Sequence, residues 1–310
     1  MRSFARGHLI IDDFEMAFRY RQGQSGFTII EVLVASVLGL MILGIAIQSA
    51  LSNQALFQTD VVRTRINQNL RSGLDIIGMN IRQAGESLPS NFPAIEIIDG
   101  GTENPDQLVL RRNLLDEVLN VCDEVEAGTS VASVYLAVDG AVSSGCMYAN
   151  QGTNFQSWSN YRAAAGGSVR AYIFNPTTKN GEFFDYVGET DTGTDYFIIA
   201  DDHTWSFDYA VGSGAVYILE EWRFSLENGY LRLIENGDTA NPLNVVWGVT
   251  DFQVQVLLEG GAIVTQFLPT DNWSLIEALD ITLSGEEAFK NQRIERTLNA
   301  RFFPRNILSL

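Results

Sequence analysis

Between Phe27 and Leu51 the chain carries 25 residues with a single charged side chain, Glu31, and no proline. About 20 apolar residues cross the hydrocarbon core of a bilayer as a helix, so this run is long enough to span one. The apolar region of a cleaved secretory signal is only about 7–15 residues, which makes the run too long for a segment that is simply removed. An uncleaved signal anchor or a buried core helix would account for the length, but neither explains Glu31. An unpaired carboxylate at bilayer depth costs about 2.5 kcal/mol or more, and such residues usually mark a partner or a function.

A pairing explanation is available. If the chain is cut between Gly26 and Phe27, Phe27 gains an α-amino group and Glu31 lies four residues further along the helix. When such helices pack side by side with an axial stagger, Glu31 of one subunit meets the terminal amine of its neighbour. The carboxylate is then compensated only in the assembly, and it also sets register, a role attested for buried polar groups.

The string Gly26-Phe27-Thr28-Ile29-Ile30-Glu31, with the apolar run behind it, resembles the type III signal of type IV pilins and pseudopilins. The resemblance implies cleavage after Gly26 by a membrane-bound prepilin peptidase, N-methylation of Phe27, and an assembly role for Glu31. The leader before it is basic near the junction, with Arg19 and Arg21, and ends in the small, polar "GQSG". It is longer than such leaders usually are, and residues 1–15 include Asp12, Asp13 and Glu15. Met16 opens a shorter basic leader and is the expected true start. Many major pilins place a proline near mature position 22, where this chain has Gln48.

Beyond Ile47 the sequence turns polar but stays periodic. Val62, Ile66, Leu70, Leu74, Ile77 and Ile81 recur at spacings of four and three, one apolar face of a helix. Proline is absent up to Pro89 and Gly85 is a natural stop. A single helix over residues 27–84 would extend about 87 Å. The stretch 67–86 is similar to the end of the long helix in the PilW group of minor pilins, with Arg82, Ala84 and Gly85 at its close.

From about residue 86 the pattern changes to short β-branched and aromatic runs between Gly/Asn/Asp/Ser breaks: 106–112, 133–138, 168–174 and 195–200. Asn228-Gly229 is a type I′ hairpin signal, with Trp222, Phe224 and Leu226 alternating on one arm and Leu231 and Leu233 on the other. Phe252, Val254, Val256 and Leu258 alternate in a half-buried strand. Residues 275–283 and 293–303 read as a last antiparallel pair, and "AAAGGS" and "NGDTANP" as loops. The hairpin, the "WGVTDFQVQV" strand and the terminal Arg305-Asn306 also resemble the PilW group, whereas residues 115–190 resemble nothing identified. The predicted fold is α+β and pilin-like, a long N-terminal hydrophobic helix packed on an antiparallel β-sheet head. The predicted organisation is a leader (1–26), a transmembrane and assembly helix (27–51), an amphipathic continuation (52–85) and a β-rich periplasmic head (86–310).

The net charge of −18 argues against nucleic acid as a partner, because phosphate binding needs a basic face. Four arginines against three acids leave residues 1–26 at +1, so the mature chain carries −19. Cys122 and Cys146 form neither a CxxC motif nor a Cys/His cluster. Outside the cytoplasm they are expected to form one disulfide, the alternative being two unrelated buried thiols.

The two histidines are His8 and His203, so a Ser-His-Asp triad could use only His203. GxSxG, HExxH, P-loop and GxGxxG motifs are absent. Asp191, Asp195, Asp201 and Asp202 could offer oxygens to Ca²⁺, but their spacing does not match the twelve-residue calcium loop, and an ordinary acidic loop is the expectation. No cofactor and no catalysis are expected. The PilW resemblance implies an inner-membrane, single-pass subunit with its head in the periplasm. Its implied partners are prepilin peptidase, other minor pilins and the major pilin, and it would prime assembly of a pilus of the kind used in twitching and adhesion. Two alternatives are a J-type minor pseudopilin of type II secretion and, from a different class, a membrane-anchored periplasmic enzyme or binding module.

Overall fold

The computed structural model describes residues 26–101, 104–290 and 292–309. The leader, with His8, Arg19, Arg21 and the alternative start Met16, lies outside the described residues. Two compact units result, one ending at Phe57 and the other formed by Gln58–Leu310.

Helix α1 covers Ile29–Gln83 without interruption and passes through Gln48 unbroken. In the first unit every described residue up to Gln54 is exposed. In the second, the six residues of the stripe, Val62, Ile66, Leu70, Leu74, Ile77 and Ile81, are all buried. Each contributes about 2 kcal/mol by leaving water, so this face fixes the second part of α1 to its unit. Gly78 makes that approach possible, since a Cβ there would stand 2.2 Å from the Phe302 ring. The helix ends at Gly85, whose φ of +81° only glycine adopts readily. A Cβ on Gly85 would also lie 2.4 Å from the fully buried Trp273. The last carbonyls of the helix are not left bare: Asn306 Nδ2 donates to the oxygens of Gln83 and Ala84 at 3.1 and 3.0 Å.

Among the described residues fifteen strands follow. The first seven are β1 (Ile95–Ile98), β2 (Gln107–Asn113), β3 (Leu119–Asn120), β4 (Ser133–Ala137), β5 (Val169–Phe174), β6 (Gly181–Asp191) and β7 (Tyr196–Ala200). The rest are β8 (Ala215–Tyr217), β9 (Leu219–Glu227), β10 (Tyr230–Glu235), β11 (Leu243–Trp247), β12 (Val249–Leu258), β13 (Ile263–Val264), β14 (Ile276–Phe289) and β15 (Gln292–Phe302). They form three antiparallel sheets of order β1-β2-β9-β10-β11, β13-β12-β14-β15 and β3-β8-β5-β6-β7-β4, where a single sheet had been expected. The long helix and antiparallel sheets are the α+β layout that the sequence predicts.

The β9–β10 hairpin turns at Asn228 and Gly229, both with positive φ (53° and 77°), which is the type I′ turn read from that dipeptide. Leu231 faces Leu226 and Leu233 faces Phe224 across it. "WGVTDFQVQV" is two strands rather than one, because Gly248 (φ +77°) separates β11 from β12. β14 and β15 pair over eleven residues in unbroken register.

A second helix, α2 (Tyr148–Ala164), was not anticipated. It absorbs Ala163 and Ala164 of the "AAAGGS" segment, and the chain turns through Ala165 and the two glycines at φ +95° and +101°. Trp158 of α2 enters a separate core with Tyr186 of β6 and with Trp205 and Tyr209 of the β7–β8 connection. Arg162 of α2 pairs with Glu189 of β6 at 2.6 Å, and Ser159 and Tyr186 also donate to that carboxylate, each at 2.7 Å. The Arg162 guanidinium, with help from Ser159 and Tyr186, overrides partial burial and holds the Glu189 carboxyl down to about 2.

Candidate processing and assembly segment

Among the described residues nothing covers the segment Gly26–Glu31. A Cβ on Gly26 would meet nothing within 4 Å, and Phe27 is 80% exposed. The Gly26–Phe27 peptide precedes the first helical turn and lies outside α1. The helix is started by Thr28. Its carbonyl accepts from the amides of Glu31 at 3.0 Å and Val32 at 3.2 Å, and its hydroxyl accepts from the Glu31 amide at 3.3 Å. Thr28-x-x-Glu31 therefore has the spacing and half the hydrogen bonding of a capping box. The sequence reading overlooked this N-cap, although Thr followed three residues later by Glu ahead of an apolar run is its signature.

Glu31 itself lies in the first turn of α1, where an anion complements the positive end of the helix dipole. Among the described residues its carboxylate has no hydrogen-bond or ion-pair partner. Behind it, Ile29, Ile30, Leu33, Leu40, Met41, Ile42 and Ile45 are each more than half exposed. Among the described residues α1 is the helix long and apolar enough to cross a membrane. Among the described residues the segment presents an uncovered Gly26–Phe27 junction, a solitary carboxylate and an apolar surface.

The other residues singled out by sequence belong to the Gln58–Leu310 unit. Cys122 and Cys146 are joined as a disulfide with Cα atoms 5.5 Å apart, closing a separation of 24 residues. Asp191 and Asp195 flank the β6–β7 turn, whereas Asp201 and Asp202 follow the far end of β7. Asp191 is occupied by the Tyr148 hydroxyl at 2.7 Å and the Gly193 amide at 2.8 Å, and Asp195 by the Thr194 hydroxyl at 2.9 Å. The bond to Asp191, then that to Tyr196, keeps the Tyr148 phenol above its ordinary value. The four aspartates thus do not converge, and among the described residues no group of three His, Cys, Asp or Glu could hold a metal ion. His203 Nε2 stands 3.0 Å from Glu182 Oε2, with its ring against Trp205. Glu182 also accepts the amides of Ser206 and Phe207, so this pair secures a turn.

Residues 21–47 match the family described as the prokaryotic N-terminal methylation motif. No curated protein and no solved structure matches the chain. The motif, together with the apolar helix it covers, supports a type IV pilin-like protein of a pilus or pseudopilus. Such a motif implies processing by prepilin peptidase and assembly with other pilin-like subunits. The apolar helix is consistent with the membrane anchor of such a subunit.

Proposed function

We propose that this chain is a minor pilin of PilW type that primes type IV pilus assembly. Prepilin peptidase cuts after Gly26, and Phe27 becomes the methylated terminus. The subunit waits in the inner membrane as a single-pass protein with its head in the periplasm. It then joins other minor pilins and the major pilin. It is an assembly component and a peptidase substrate, not an enzyme.

The observation that carries this reading is the solitary Glu31 carboxylate on an uncovered apolar helix, inside the matched segment. A charge so placed costs about 2.5 kcal/mol or more in lipid, and the new Phe27 amine of a staggered neighbour is the nearest compensating cation the processing chemistry supplies. Mass spectrometry of the N-terminus of membrane-extracted protein tests it. Expected is a chain beginning at methylated Phe27; a chain beginning upstream would end the proposal.

The matched motif is shared with pseudopilins, so the J-type pseudopilin of type II secretion is the second reading. Deletion of the gene separates them: loss of twitching with secretion intact supports the pilus, and the reverse supports the pseudopilus.

A further inference from the structure

Charge is distributed very unevenly over the second unit. Residues 85–275 hold 27 acidic against seven basic side chains. Residues 58–84 hold four arginines against two acids, and residues 276–309 hold five of each. Four arginines in these two segments, Arg71, Arg82, Arg296 and Arg305, are exposed and have no hydrogen-bond or ion-pair partner among the described residues.

These four line one seam. Arg71 and Arg82 are eleven residues apart, three helical turns, so they project within about 20° of one another. β15 runs alongside the same part of α1, in the same direction. Gly285, the Cα partner of Arg296, has Leu70 Cδ2 3.1 Å from where its Cβ would be. Gly78 meets Phe302, and Asn306 caps Gln83 and Ala84. Arg296 therefore stands beside Arg71, and Arg305 beside Arg82. The flank also carries the exposed Asp75. β15 is an edge strand, and charges on edges also discourage unwanted strand pairing. That purpose does not explain Arg71 and Arg82, which lie on the helix.

A complementary surface exists elsewhere in the same unit. Residues 121–132 run antiparallel to residues 200–209, joined by reciprocal Val125–Tyr209 bonds and by Gly128–Trp205 and Trp205–Thr129 bonds. Together these segments expose Asp123, Glu124, Glu126, Asp201, Asp202 and Asp208 and contain no lysine or arginine. We propose that the arginine seam along α1 and β15 docks the acidic 121–132/200–209 ribbon of a second copy of this chain. Two different patches pair reciprocally about a two-fold axis if both contacts form at once, and link further copies if only one forms. A nucleic acid fits worse, because the 27 acids of residues 85–275 would repel a polyanion. The inference uses residues of the second unit alone and stands apart from the processing of the N-terminus.

The test uses the full chain in detergent micelles, with 15N-labelled and unlabelled copies mixed. Only two lysines occur, Lys179 and Lys290. An Arg71→Lys/Arg296→Lys variant therefore gives a carbodiimide few other amines to couple to carboxylates. Expected are mixed-isotope links from positions 71 or 296 to carboxylates of 121–132 or 200–209. The charge reversal Arg71→Glu/Arg296→Glu should weaken self-association about tenfold, as should raising the salt, with the folded spectrum kept. Absence of mixed-isotope links, links to other carboxylates, or association indifferent to the reversal would overturn the proposal. Retention of duplex DNA by the wild-type chain without self-links would assign the seam to phosphate and overturn it equally.

Discussion

Arg111 offers the most direct test of how the second unit is held together. It lies on β2 with its side chain only 7% exposed, next to Glu221 of β9 at 3%. Nε donates to Glu221 at 2.7 Å, Nη2 to Glu96 at 3.1 Å, and Nη1 to the Pro93 carbonyl at 2.8 Å. Burial disfavours the guanidinium charge, but Glu221, with Tyr172 and Glu96, more than offsets this and keeps it above its ordinary range. The same residue's carbonyl receives the Gly85 amide, so the ion cluster sits where α1 ends. Replacing Arg111 by leucine leaves the buried Glu221 carboxylate with only the looser ion pair to Arg223 Nη2 at 3.7 Å. Removing one partner of a buried pair costs about 3–5 kcal/mol. At roughly 2–4 °C per kcal/mol for a unit of this size, the melting temperature should fall by about 6–20 °C. Near-ultraviolet circular dichroism of the full chain in detergent follows the loss of tryptophan packing. The decisive comparison is Arg111→Leu/Glu221→Leu, which removes the stranded charge along with its partner and should recover at least half of the lost stability. A double variant as unstable as the two single losses added together would refute the view that an uncompensated charge, rather than lost packing, sets the cost.

Asn306→Ala removes the Nδ2 donor that bonds the carbonyls of Gln83 and Ala84 and should cost about 1–3 kcal/mol, measured by denaturant unfolding. Glu189 is depressed to about 2 from an unfolded value of 4.5, so its stabilisation is present above pH 4.5 and is lost as pH falls toward 2. A Glu189→Gln variant should show a flatter stability profile across that acid window, read by thermal melts at successive pH values. Reduction of Cys122–Cys146 opens a 24-residue separation and should cost about 3 kcal/mol by the chain-entropy account, seen as a lowered melting temperature in dithiothreitol. Glu31→Gln should leave membrane insertion intact while lowering the number of assembled fibres; undiminished fibres would remove the pairing mechanism.

Legibility in the sequence followed the strength of the local signal. The stripe from Val62 to Ile81 is periodic enough that its burial could be read residue by residue. The Asn-Gly turn and the alternation from Phe252 to Val256 were equally plain, because each follows from backbone chemistry alone. α2 was missed because its buried face amounts to Gln151, Phe155 and Trp158, set among Asn, Ser and Gly that favour turns. The Arg111 cluster was invisible for another reason. "LVLRRN" looks like a strand running out into solvent, and only the pairing of β2 with β9 brings Glu221 opposite Arg111 and makes it interior. Division of the strands into three sheets is likewise a matter of long-range pairing, which no local window contains. At the N-terminal segment the motif around Gly26, Phe27 and Glu31 was legible because it is a spacing along one short stretch of chain. Thr28 is less plain, because threonine also occurs inside helices and only the hydrogen bond from the Glu31 amide marks it as the cap.

The two parts of α1 solve opposite burial problems with one continuous backbone. From Val62 onward the apolar positions occupy a stripe, and that stripe is covered by the chain's own strands. From Phe27 to Leu51 the apolar residues surround the helix, and among the described residues nothing of the chain covers them. A helix apolar on all sides is stable only where something else surrounds it, lipid or other apolar helices. Glu31 decides between a permanent and a provisional home. In lipid its charge is a standing cost, whereas among staggered neighbours bearing free terminal amines it becomes an ion pair in a low-dielectric setting. On the proposed function, such a subunit would be held in the bilayer yet favoured in the fibre, with the sign of that preference set by one carboxylate. Moving the acid one turn along, as in Glu31→Ala/Ala35→Glu, keeps composition and hydrophobicity but breaks the register with the neighbour's amine. That variant should insert like the wild type and fail to assemble; assembly at the wild-type level would show that bulk apolarity, not charge register, drives the transfer.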